Sequence, residues 1–186
     1  MTDLGVCSRQ RSTSSAVVPD TALPPPSLES SIPGVVAVSG LRKAGPADLD
    51  RIATLEAACF GAVDGVFSPR QLRDLLNNSN ACWFLSLDGK AMGCWLKVSN
   101  GRARWARLYS LAVHPALRGQ GWGKRLIEAG FSWMRAEDLA ACRAEVKADN
   151  LAARKLYAGC GFQETGLLRD YYAPGVDGVR LTLTIA

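Results

Sequence analysis

The chain has 186 residues, 48% of them apolar and 21% charged, which suits one ordinary domain with its own core and excludes a fibrous or wholly unstructured chain. Its formal net charge of +5 favours anionic partners without choosing among them, but the basic residues are scattered and form no recognised nucleic-acid motif, so nucleic acid is not an expected partner. There is no apolar run of bilayer-spanning length and no signal-type apolar stretch near the N-terminus, so no membrane partner is expected and the expected compartment is the cytosol.

Residues 1–33 are rich in Ser, Thr and Pro and lack aromatics, so a disordered, passive tail is expected there, ahead of a folded domain over residues 34–186. Val35 to Leu41 reads as β-like. Pro46 lies near the start of a helix running to about Cys59, and Ser68-Pro69 caps a second short helix. Two strands, Trp83 to Leu87 and Met92 to Val98, flank Asp88-Gly89, a two-residue type I′ turn signal. Asn100-Gly101 marks the next turn, and a long strand follows from about Trp105 to Val113. A helix then runs to about Asp138, with Trp122, Leu126, Ala129 and Trp133 on one stripe. A short strand, Cys142 to Lys147, precedes a helix capped by Asn150 and ending near Gly159. Strands over about Phe162 to Tyr172 and Val179 to Ile185 flank a turn from Pro174 to Gly178. This order predicts an α/β (α+β) class: a mixed central sheet of about seven strands with helices on both faces.

Six cysteines and the single histidine, His114, form no Cys-x-x-Cys pair and no ligand cluster, so no metal site is expected. Most of the cysteines lie in apolar runs and read as small buried hydrophobes in a reducing compartment. His114 reads as a loop residue, and Trp105 and Trp133 as core.

Arg118-Gly119-Gln120-Gly121-Trp122-Gly123-Lys124 stands between a strand and a helix. There the first helical amides lack internal partners, the dipole end is positive, and glycines allow close backbone approach to an anion. The spacing fits neither a Walker loop nor a Rossmann fingerprint. By itself it leaves a phosphate cradle and an ordinary glycine turn open.

Arg118-x-x-Gly121-x-Gly123, following Tyr109-Ser110-Leu111-Ala112-Val113, resembles the Q/R-x-x-G-x-G/A motif of the GNAT superfamily of N-acetyltransferases. Glu145-Val146-Lys147-Ala148-Asp149-Asn150, Leu156-Tyr157, Cys160-Gly161-Phe162 and Arg169-Asp170-Tyr171-Tyr172 are similar to its RimI-like branch, the ribosomal-protein alanine N-acetyltransferases. The resemblance implies a splayed pair of parallel strands, those ending near Val113 and beginning near Cys142, with acetyl-CoA as cosubstrate in the gap. It implies that the pyrophosphate lies on the amides of Arg118, Gly119, Gln120, Gly121, Trp122, Gly123 and Lys124. The backbone of Leu111, Ala112 and Val113 would run beside the pantetheine, and Asn150 would reach the cofactor's far arm. The implied activity is acetyl transfer to an amine, foremost a protein or peptide N-terminal α-amine. A small-molecule amine or amino acid as acceptor, and a non-catalytic CoA-binding sensor or partner module, are the competing readings.

Amine attack on a thioester needs a base for the amine, a donor for the oxyanion and a proton for the leaving thiolate. On its strand Glu145 alternates with Arg143 and Lys147, so the residues alone leave a solvated charged face and a base both open. The resemblance makes Glu145 the base, Tyr157 the acid and the Val113 amide the oxyanion donor. Tyr171 and Tyr172 stand either in the acceptor channel or as exposed sheet aromatics. Two departures from the branch stand out. Val179-Arg180-Leu181 follows Gly178 where acidic residues are common, which bears on peptide selectivity, and Trp122 is bulkier than the usual Ile or Leu.

Overall fold

A computed structural model describes residues 7–9, 40–61, 66–100 and 103–185. Eight strands are defined: β1 (Cys7–Arg9), β2 (Leu41–Lys43), β3 (Ala81–Ser86), β4 (Ala91–Asn100), β5 (Ala103–Val113), β6 (Ala141–Lys147), β7 (Gln163–Ala173) and β8 (Val176–Thr184). Four α-helices accompany them: α1 (Leu49–Cys59), α2 (Pro69–Leu76), α3 (Trp122–Ala136) and α4 (Leu151–Gly159). The sheet runs β2-β3-β4-β5-β6-β8-β7, and β1 pairs with β5 off this path. Only β5 and β6 pair in parallel along that order. Among the described residues, no helix is long and apolar enough to cross a membrane.

The helix ends follow local chemistry. Ser68 and Gln71 form a reciprocal capping box on α2, and Asn150 Oδ1 accepts the Ala153 amide at 3.0 Å to start α4. The α3 helix stops earlier than expected, at Ala136. Asp138 takes φ +54°, and Leu139 N–H returns to Met134 C=O at 2.9 Å, an end more often built on glycine.

Two cores sandwich the sheet. On one face α1 and α2 lay Ile52, Leu55 and Leu72 on Leu85, Met92 and Ala112. On the other, α3 and α4 lay Leu126, Trp133 and Tyr157 on Trp95, Leu108 and Val146. Trp95 reaches α3 because Gly130 has no side chain: a Cβ there would stand 2.3 Å from the indole. Cys82, Cys94 and Cys142 are buried as expected, while Cys59 and Cys160 are half-buried.

Several expectations need correction. The β3–β4 connection is four residues, not two. Ser86 C=O accepts from Gly89 N–H at 2.9 Å, Gly89 takes φ +74°, and Asp88 keeps negative φ, so the turn is not type I′. The β7–β8 turn is confined to Pro174 and Gly175, because β8 already begins at Val176. Trp105 is half-buried under the Arg143 guanidinium, 4.6 Å from its ring centre, rather than in the core. The segment before Leu41 expected to be β-like, the Asn100-Gly101 turn beyond Asn100, and the expected tail apart from Cys7–Arg9 lie outside the described residues.

Candidate active site at the split between β5 and β6

β5 carries the feature that opens the sheet. Trp95 pairs with Leu108 but Cys94 pairs with Ser110, so Tyr109 is an extra residue. Such a bulge bends a strand and shifts the side-chain alternation by one. Ala106 and Leu108 therefore share a core with Leu111 and Val113, while Tyr109 and Ala112 face the other core. β5 pairs with β6 only at Ala106–Cys142 and Arg107–Arg143. Past that point β6 follows β8 to Lys147, and the two parallel strands part.

The chain fills part of this gap with itself. β1 runs antiparallel to β5, with Cys7 opposite Ala112, Ser8 opposite Leu111 and Arg9 opposite Ser110, and it approaches β6 as well. The backbone edge at Leu111 and Ala112, expected to pair with a cofactor arm, is here paired with β1.

At the C-terminal end of β5 the glycine loop forms the helix start expected of it. Gly119 and Gly121 have φ +75° and +80°, and a Cβ on either would meet nothing within 4 Å. Backbone conformation, not crowding, is what calls for glycine at both. The first α-helical return bond is Arg125 N–H to Gly121 C=O, at 3.1 Å, which leaves the amides of Trp122, Gly123 and Lys124 without an in-helix acceptor. A cavity of about 240 Å³ lies against Val113, Arg118, Gly119, Gly121, Gly123 and Leu156. Arg118 Nε donates to Val113 C=O at 3.4 Å, tying the loop to the strand end. Trp122 and Lys124 also line the cavity. The Trp122 indole lies against Gly40, with Arg125 over its ring at 5.0 Å. Gln120 turns back to Ala116 C=O at 3.0 Å.

Glu145 lies on the opposite face of β6 from Cys142, Ala144 and Val146, as the alternation predicts, but it is only 5% exposed. Its carboxylate accepts from Arg107 Nη2 at 3.3 Å and from Arg180 Nε at 3.4 Å. Strand register makes the second contact, since Arg180 on β8 stands directly opposite Glu145. Arg107 Nη2 also donates to the Tyr171 hydroxyl at 3.0 Å. Tyr171 packs edge-to-face on Tyr172, and the Lys147 ammonium lies 5.8 Å from the Tyr172 ring centre. Burial, and next the Glu145 charge, push the Tyr171 hydroxyl above its usual range. Both tyrosines crowd Gly178, where a Cβ would come within 3.2 Å.

Tyr157 belongs to the α3/α4 core, fully buried and edge-to-face with Phe162 at 5.3 Å. Glu145 and Tyr157 thus flank β6 from its two faces. The Asn150 side chain is engaged in capping α4.

Two participants escaped the sequence reading, Arg107 and Glu56, and Arg180 entered it only as a departure that bears on peptide selectivity. Glu56 on α1 is fully buried and accepts from Ser110 Oγ at 3.2 Å and Phe67 N–H at 3.5 Å, which pins the segment before α2 to β5. Phe67 then stacks on Tyr109 at 5.7 Å, and Arg107 lies 5.9 Å over the same ring. A buried carboxylate on an amphipathic helix and an arginine inside a long strand were the available signals. Only the pairing of strands distant in sequence turns them into a site.

The mixed sheet is thus split between two parallel strands, with a helix start at its mouth and a buried carboxylate on its wall. The chain belongs to the acetyltransferase (GNAT) family, whose model matches residues 49–162. It is 37% identical over 75 residues to the [ribosomal protein bS18]-alanine N-acetyltransferase of Haemophilus ducreyi, a match covering 40% of this chain and 51% of that one. The chain spans about half the length of the curated relatives that head the comparison. Its fold resembles the crystal structure of the ribosomal-protein-S18-alanine N-acetyltransferase from Escherichia coli, with TM-score 0.65 and 24% identity over 78% of this chain and 93% of that one. It also resembles a chain of the NatC complex bound to Gag peptide and CoA, with TM-score 0.70 and 20% identity over 78% and 98%.

Proposed function

We propose that this protein transfers the acetyl group of acetyl-CoA to a primary amine, in the first place the α-amine of a protein N-terminus, and that it does so in the cytosol. The observation that carries the reading is Glu145, a buried carboxylate held by two arginines beside the point where β5 and β6 part. Its ionic partners and burial argue against a merely solvated face. Support also comes from relatives named [ribosomal protein bS18]-alanine N-acetyltransferase. For the compartment, the support is a set of thiols buried as hydrophobes.

In this reading the amides of Trp122, Gly123 and Lys124 and the turn before them hold the pyrophosphate of acetyl-CoA. The β5 edge at Leu111 to Val113 aligns its pantetheine. The acceptor amine, with an unperturbed pKa of about 8, needs only a modest base. Its nitrogen forms a bond to the thioester carbonyl carbon while Glu145 takes the amine proton, directly or through water. The Val113 amide donates to the oxyanion. The C–S bond then breaks, and Tyr157 donates its proton to the leaving thiolate. Tyr171 and Tyr172 form one wall for the acceptor.

The test is release of free thiol from acetyl-CoA over a panel of N-terminal peptides and small amines. Turnover on peptides should fall about a hundredfold or more in Glu145→Gln and in Tyr157→Phe. Turnover confined to free polyamines or amino acids would overturn the acceptor assignment, and full activity in both variants would overturn the mechanism.

A further inference from the structure

Glu145 is outnumbered. Arg107 and Arg180 both bind its carboxylate, and each holds its position for a separate structural reason. Arg107 is anchored by Tyr171 and by the Tyr109 ring. Arg180 is placed by its register opposite Glu145. One carboxylate against two guanidiniums leaves one positive charge beside the place where the acceptor amine would stand. Lys147 adds another at the Tyr172 ring.

The nearby acids are held by other partners than Arg107 and Arg180. Asp177 accepts from Arg169 and from the Asp170 amide, and Asp170 accepts from the Gly175 amide, so both are engaged at the β7–β8 hairpin end. Glu56 is buried against Ser110 and Phe67. Arg180 commits only Nε to Glu145, and its side chain is 43% exposed. Its two terminal amino groups have no hydrogen-bond partner among the described residues, and together they form a planar fork suited to a carboxylate.

We infer that the acceptor carries a carboxylate close to its reacting amine, received by the free fork of Arg180, and that acceptors with a basic group in that place are disfavoured. This rests on the proposed acetyl transfer beside Glu145. The source favoured is an acidic side chain at the first or second residue of a protein N-terminus, because the Arg180 side chain is 43% exposed and so within reach of a chain that continues past the amine. The α-carboxylate of a free amino acid presents the same chemistry. Like charges close together in a partly desolvated site repel a basic acceptor, and salt weakens the discrimination as it screens the exposed guanidinium.

The experiment compares kcat/KM for peptides alike except for Asp, Asn or Lys at the second residue, with free aspartate and glutamate as separate arms. The full-length protein is expected to favour the Asp peptide over the Lys peptide by about tenfold or more at low salt. That ratio should fall towards one in Arg180→Gln and reverse in Arg180→Glu. Turnover on the free amino acids that exceeds the Asp peptide would assign the carboxylate to the small-molecule source. Equal rates on the three peptides, or preference for Lys, would overturn the inference while leaving acetyl transfer intact. Binding of the same peptides to the protein with coenzyme A reads the same ratio where no acetyl moves. A failed reaction and a failed charge preference are therefore separable.

Discussion

Ionisable groups in this protein are governed by what strand pairing sets beside them. Glu145 was legible from the motif that contains it, and its outward direction from the alternation of β6. Its two arginines were not legible, because they reach it from residues 38 and 35 positions away in the chain. Cys82, Cys94 and Cys142 were read correctly as buried hydrophobes, Cys59 and Cys160 only in part, and the structure gives that reading a consequence. Burial pushes Cys82 and Cys142 up to about 12, from an ordinary thiol value of about 9. The folded state therefore holds these protons longer than the unfolded chain. Their contribution to stability is complete below pH about 9 and is lost as pH rises towards 12. A thiol reagent at pH about 8 is expected to label Cys142 slowly in the native protein and rapidly in denaturant. The urea midpoint should drop between pH about 9 and 11, and drop less in Cys142→Ala. Native labelling of Cys142 at the unfolded rate would contradict its placement.

Among the elements, β5 decides most. Its ends and direction follow from the run Trp105 to Val113, but nothing in that run announces Tyr109 as the extra residue. The bulge becomes visible only in the register with β4, and it is what sets Leu111 and Val113 facing α3 while Arg107 faces Glu145. The glycine loop was more legible, since a strand end, spaced glycines and a helical stripe are all local signals. β1 was missed entirely: three residues within a Ser- and Pro-rich stretch carry no periodicity that composition can report. Its pairing with Ser110 to Ala112 covers the edge proposed for pantetheine, so in the proposed binding mode β1 and the cofactor compete for it. Deleting residues 7–9 removes β1 and is expected to tighten acetyl-CoA binding several-fold in a calorimetric titration. Unchanged affinity would place the cofactor away from that edge.

At the scale of the whole molecule, the order of elements was enough to give a mixed sheet covered on both faces, because helix and strand periodicities are properties of short windows. What the order leaves out is how the sheet splits and which charges meet across the split, and those are the features on which the proposed chemistry rests. In the proposed reaction three parts meet around one gap: a helix start for phosphate, a strand edge for pantetheine, and Glu145 with its arginines for the amine. The most direct test gives the protein acetyl-CoA and two peptides of one sequence containing an internal lysine. One peptide has a free N-terminus and the other has it chemically blocked, and the site of acetylation is read by mass spectrometry. Acetyl is expected on the α-amine of the free peptide and nowhere on the blocked one. Acetylation of the lysine in both peptides at equal rates would contradict that expectation.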